Sequence, residues 1–133
     1  MALPKKEDYI FYQGEKFQVE FYFTETGEIP AKEYLEKESL GVQVKLAVLV
    51  KYIADHGILF NRTKFRKVDS KENIFEFKPV DHRFFSFFYE GKKIIITNAY
   101  RKKSQKVSKR DLEKAKSVKK TYTNRLKEGV YYE

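Results

Sequence analysis

Arg83-Phe-Phe-Ser-Phe-Phe-Tyr-Glu-Gly-Lys-Lys-Ile-Ile-Ile-Thr97 is the stretch on which the fold turns. Residues 83–89 are aromatic and strand-forming, Glu90-Gly91 supplies a two-residue turn, and residues 92–97 run back from it. Upstream, residues 74–78 set Phe75 and Phe77 on one face and Glu76 and Lys78 on the other. Pro79-Val-Asp-His separates them from the hairpin, so the three runs predict an antiparallel meander. Downstream, Asn98-Ala-Tyr-Arg-Lys-Lys-Ser-Gln-Lys-Val-Ser-Lys-Arg-Asp-Leu112 leads into a helix. Ser108-Lys-Arg-Asp111 has the spacing of a capping box, which opens that helix. Leu112, Ala115, Val118, Tyr122 and Leu126 follow at helical spacing, and Gly129 ends the element.

The N-terminal half adds a strand and two helices. Phe17, Val19, Phe21 and Phe23 alternate with polar partners, which predicts a half-buried strand. Residues 9–12 read as a weaker strand before the Gly14 turn, so residues 1–16 are an N-terminal extension or an extra strand. Pro30 suits the first position of a short helix over residues 31–38. Apolar residues at 42, 46, 49, 50 and 53 predict a second helix that stops at His56-Gly57. Residues 58–73 are a connection without a clear pattern. The expected architecture is a single α+β domain over residues 1–133. It has two layers, an antiparallel sheet of about four strands, an N-terminal helical hairpin and a basic C-terminal helix, with all helices on one face.

Composition narrows the chemistry. The chain has 133 residues, 17% aromatic and 41% hydrophobic, enough to build a core. It has no Cys, which removes thiolate metal sites and Cys nucleophiles. His56 and His82 stand 26 residues apart, with no HxxxH or HxxE spacing, so no metal or other cofactor is expected. No apolar run approaches the roughly 18 residues of a membrane span, and the expectation is a soluble, cytoplasmic protein with no membrane partner.

Charge is concentrated. Residues 101–128 hold 12 Lys/Arg against 3 Asp/Glu, an excess equal to the whole formal charge of +9. The remaining 16 basic and 16 acidic residues cancel. A basic focus at the end of a sheet suits a polyanion.

The element order, with Ile74-Phe-Glu-Phe-Lys78, Arg83-Phe-Phe-Ser-Phe-Phe-Tyr-Glu-Gly91 and Tyr100-Arg-Lys-Lys-Ser-Gln-Lys106 ahead of a helix, resembles the RelE/HigB-type toxins of bacterial toxin–antitoxin systems, in the phage-derived branch. The resemblance spans about residues 17–122 and implies a metal-independent endoribonuclease that cleaves mRNA, generally on the ribosome. It also implies a cognate antitoxin of the DNA-binding helix-turn-helix kind. Lys78 stands where the family commonly has Arg, Ser108 where Pro is usual, and no His or Tyr stands at the helix start.

In such chemistry the 2′-OH attacks the adjacent phosphorus and expels the 5′-oxygen. The protein must move two protons and stabilise charge on the phosphoryl oxygens. The expected catalytic set is Lys78, Arg83, Lys102 and Lys103, with Arg83 and Lys102 on the phosphate and Lys78 or Lys103 handling a proton. Crowding with Arg101 would lower a lysine pKa. Arg101, Gln105, Lys106, Lys109, Arg110, Lys116, Lys119 and Lys120 are expected to hold RNA, with Tyr100 and Tyr89 as stacking platforms. His82 is a minor candidate for proton transfer, and His56 a helix-end residue. Two other readings stay open. One is a gyrase-inhibiting protein like the ParE branch; the other is a non-catalytic RNA-binding domain.

Overall fold

A computed structural model describes residues 3–57 and 63–132. The elements run α1 (Lys6–Tyr9), β1 (Ile10–Gln13), β2 (Gln18–Phe21), α2 (Pro30–Glu36), α3 (Leu40–His56), β3 (Phe65–Asp69), β4 (Ile74–Phe77), β5 (His82–Tyr89), β6 (Lys93–Arg101) and α4 (Lys109–Lys127). The expected meander is β4–β5–β6, antiparallel throughout. The fold is α+β as expected, but the sheet is larger and mixed.

Its order is β1-β2-β6-β5-β4-β3, six strands in place of about four. β2 lies parallel to β6, with Val19 opposite Ile94 and Phe21 opposite Ile96. The helices and the meander between them form the long crossover that a parallel pair requires. β1 is the extra strand of the N-terminus. Its turn is locked to the end of α3, since a Cβ on Gly14 would lie 2.5 Å from the Ala54 backbone. Tyr12 also donates a hydrogen bond to Asp55 at 2.8 Å. β3 comes from the patternless connection, whose residues 58–62 lie outside the described residues. Its alternation is masked by charge, as Phe65 is buried while Arg66 and Lys67 follow it.

The helices do not share one face. Side chains alternate along β5. Phe87 and Tyr89 meet Tyr122 of α4, whereas Phe84 meets Tyr34 of α2. α4 therefore lies opposite the hairpin. The open part of its face is the stretch of sheet ahead of its first turn.

Two interior features lack a sequence signal. Arg125 is buried in α4, its guanidinium 4.5 Å from the Tyr131 ring centre and donating to the Phe23 carbonyl at 2.8 Å. It is thereby removed from the basic surface. The C-terminal Tyr131 and Tyr132 are docked, with Tyr131 stacked on Phe23 and its hydroxyl accepting from the Phe23 N–H at 3.0 Å.

Candidate functional site

The open stretch of sheet is lined by charge. Arg83 and Tyr100 are directly paired across β5 and β6, and Glu76 pairs with Phe85 across β4 and β5. Glu76, Arg83 and Tyr100 thus stand on one face, with Arg66 opposite Glu76 on the edge strand. With Lys78, Lys102, Gln105 and Lys106 they line a polar cleft of about 70 Å³.

Glu76 is the buried anchor of this cluster. Its Oε2 accepts from Arg66 Nε at 2.7 Å. Its Oε1 has no hydrogen-bond partner among the described residues and lies 4.0 Å from Arg83 Nε. A buried carboxylate is costly alone, and two guanidinium groups compensate it. The sequence showed Glu76 only as the polar face of a strand, and neither it nor Arg66 was among the expected site residues.

Arg83 is buried, which no strand-end position announces. Its Nη1 donates to the Val80 carbonyl at 3.0 Å and to its own neighbour's, His82, at 2.9 Å. The turn that supplies the first carbonyl is strained, because Val80 takes φ 54°, a left-handed conformation that β-branched residues avoid. The Pro79–His82 bond at 3.0 Å and the Lys102 N–H to Asp81 carbonyl bond at 2.7 Å hold this turn against the end of β6.

Lys78 follows β4 on the same side as Glu76. Burial, and then the nearby Arg66 and Arg83 charges, push its ammonium below the usual lysine pKa; Glu76 acts in the opposite direction. Lys102 approaches Gln105 Oε1 at 3.5 Å from the far wall.

A bulge sets the angle of the loop that carries Lys102. The β5–β6 register shifts between Phe84 and Ser86, so Thr97 and Asn98 together face Phe85. Thr97 Oγ1 donates to Asn98 Oδ1 at 2.6 Å, and Asn98 Nδ2 donates to the Asp111 carbonyl at 3.1 Å. The first turn of α4 is thereby fixed to the strand. The expected capping box is half present: Ser108 Oγ accepts from the Asp111 N–H at 3.3 Å. The Ser108 N–H goes instead to the Tyr100 hydroxyl at 3.3 Å, which occupies that phenol.

The expected residues divide three ways. Lys78, Arg83, Lys102, Gln105, Lys106 and Tyr100 come together. Arg101 and Lys103, with Arg110, line an adjoining cleft beside Tyr34 that shares Tyr100 and Lys106 with the first but not Lys78. The others are elsewhere. Lys116 pairs with Asp69 at 3.4 Å, and Lys119 donates to the Glu72 carbonyl at 2.5 Å, so both tie α4 to the β3–β4 turn. Lys109 and Lys120 are exposed on α4. Tyr89 closes the opposite end of β5 from Arg83, roughly 20 Å away at 3.3 Å per residue, against Tyr122. It lies outside the cleft.

His82 is buried and structural. Its Nδ1 is 2.6 Å from the Tyr34 hydroxyl and its Nε2 is 3.3 Å from Glu38. Burial, assisted by Glu38, pushes the Tyr34 phenol up to about 12. His56 packs on the Tyr52 ring at the end of α3. Among the described residues no group of three or more His, Asp or Glu is placed to hold a metal, and no helix is long and apolar enough to cross a membrane.

Residues 33–120 match the family of phage-derived Gp49-like proteins, from α2 through most of α4. The chain belongs to that family. Gp49-like proteins are RelE-like and associated with the toxins of toxin–antitoxin systems. Every residue of the cleft falls inside the match, whereas β1, β2 and the docked C-terminal tyrosines fall outside it. No curated protein matches the chain.

Proposed function

We propose that this Gp49-like protein is a HigB-type toxin and an endoribonuclease that cleaves mRNA on the ribosome without a metal, silenced by a cognate antitoxin. The observation that carries the reading is the meeting of Arg66, Lys78, Arg83 and Lys102 around one cleft at the open end of the sheet.

Lys78 in its neutral form takes the proton of the 2′-OH as that oxygen attacks phosphorus. Its lowered pKa increases the neutral fraction near neutrality. Arg83 and Lys102 oppose the charge that develops on the phosphoryl oxygens, and Arg83 is preorganised by two carbonyls and Glu76. The bond from phosphorus to the 5′-oxygen breaks, leaving a 2′,3′-cyclic phosphate and a 5′-hydroxyl. Lys106, at the rim, is placed to protonate that leaving oxygen. Arg101, Lys103, Lys109, Arg110 and Lys120 hold flanking phosphates.

The test is induction in bacterial cells followed by primer extension on a translated message. Discrete breaks within codons support the proposal. Intact mRNA with a DNA-damage response points to a gyrase inhibitor, and intact mRNA with RNA binding points to a non-catalytic domain.

A further inference from the structure

The exposed large apolar side chains among the described residues are Leu40, Val44, Val48, Tyr52, Val80 and Val130. All but Val130 belong to one surface. Leu40, Val44, Val48 and Tyr52 recur every fourth residue along the outside of α3, with exposures of 74%, 52%, 62% and 48%. They make a stripe about 18 Å long at 1.5 Å per residue. The inner face of α3 already fills the core through Val42, Leu46, Val50 and Ile53. The outer stripe stays largely exposed in the folded chain.

The middle of the stripe, Val44 and Val48, forms one wall of a groove of about 320 Å³ that Leu49, Lys64, Lys78 and Val80 also line. Val80 provides a second sign that the groove has an occupant. A valine at φ 54° costs stability where Gly or Asn would not, yet its side chain is half-exposed and lines the groove. The rim is basic: Lys45 and Lys64 line it and carry no salt bridge among the described residues. Lys78, just past the end of β4, lines both the groove and the cleft.

We infer that the α3–Val80 groove docks an amphipathic acidic helix of a partner protein, and that the docked helix covers Lys78. An occupant about 18 Å long is a helix of three to four turns, its leucine-like side chains set between Val44, Val48 and Val80 and its carboxylates against the lysines. A concave, basic-rimmed groove suits a helix rather than a flat bilayer. The partner's silencing role rests on the toxin reading above; the docking and its test do not.

The probe is a fluorescein-labelled 20-residue helical peptide with leucines spaced three and four apart and glutamates beside them. Saturable binding to the full chain is expected. It should weaken at least tenfold in Val44→Asp and Val48→Asp, both exposed positions whose folding circular dichroism verifies. It should weaken equally when the peptide's glutamates become lysines. Reductive methylation read by mass spectrometry should show Lys78 and Lys45 protected by the peptide, and Lys103 not. No binding, binding indifferent to Val48→Asp, or equal binding of the lysine peptide overturns the proposal. So does unchanged methylation of Lys78, or Val48-dependent sedimentation with anionic phosphatidylglycerol vesicles in place of peptide binding. None of these readouts uses RNA, so loss of the nuclease reading leaves them intact.

Discussion

Replacing Glu76 by Gln keeps the shape of the buried side chain and removes its charge from between two guanidinium groups. At an effective dielectric near 20, unit charges 4.0 Å apart, the separation of Glu76 Oε1 and Arg83 Nε, attract by about 4 kcal/mol. The Arg66 contact is shorter, but its side chain is more than a third exposed and contributes less than about 1 kcal/mol after screening. Breaking a buried pair from one side typically costs about 3–5 kcal/mol, because the partner charge stays buried. Arg83 retains its two carbonyl acceptors, which places the expected loss at about 3 kcal/mol. In thermal unfolding this is a fall of roughly 10 °C or more for a chain of this size. A second readout follows from Lys78, whose ammonium Glu76 favours. Without the carboxylate the lysine pKa falls further, so the alkaline-going limb of the single-turnover rate shifts to lower pH. If Glu76→Gln unfolds within about 1 kcal/mol of the parent and leaves that limb in place, Glu76 is not the electrostatic anchor of the cleft.

In the parent protein itself, the cleavage rate should rise with pH as Lys78 loses its proton, with the midpoint below the ordinary lysine value of about 10.4. The same depressed pKa means that the unfolded chain binds the extra proton, so stability also rises with pH across the interval between the two values. Lys78→Arg should flatten the rate profile; a rising limb that survives it assigns the base elsewhere. Lys102→Ala should lower the saturated single-turnover rate by about 10²–10³ with little change in stability. Lys103→Ala, in the neighbouring cleft, should instead weaken RNA binding and reduce the salt slope by roughly 0.7, leaving the saturated rate unchanged. Tyr131→Ala should cost about 3–5 kcal/mol in urea unfolding, since it removes a buried ring from the Phe23–Tyr122–Arg125 cluster.

What the sequence makes legible follows from which signals are local. The β4–β5–β6 meander, the Gly57 stop of α3 and the Ser108 start of α4 are each written in a few adjacent residues. β3 is not, because Phe65-Arg-Lys-Val-Asp69 draws its strand identity from pairing with β4. The parallel contact of β2 with β6 is equally invisible, since nothing in residues 18–21 records a neighbour more than seventy positions away. In the site, the basic tract announced Lys102 and Lys106, but charge counting could not separate cations that face the cleft from those that bind Asp69, Glu72 or the Tyr131 ring. Glu76 is hidden from a sequence reading because an alternating strand makes a charged residue look solvent-facing. Its burial depends on Arg66 and Arg83 arriving from two other strands.

The placement of the cleft has a single architectural cause. α4 begins only at Lys109, held there by Asn98 and Tyr100 acting on its first turn. The sheet beyond that point is left uncovered just where β4 and β6 end and β5 begins. Backbone N–H groups at the start of α4 add positive potential on the same side as Lys102 and Lys106. An anion entering the cleft therefore meets a field from the helix, the loop and the buried Arg83 guanidinium together, with Glu76 as the countercharge that lets Arg83 stay buried. The strained turn at Val80 links this field to the opposite side of the sheet: its carbonyl holds Arg83 while its side chain lines the α3 groove. A partner that moves Val80 on one side must move the acceptor of Arg83 on the other.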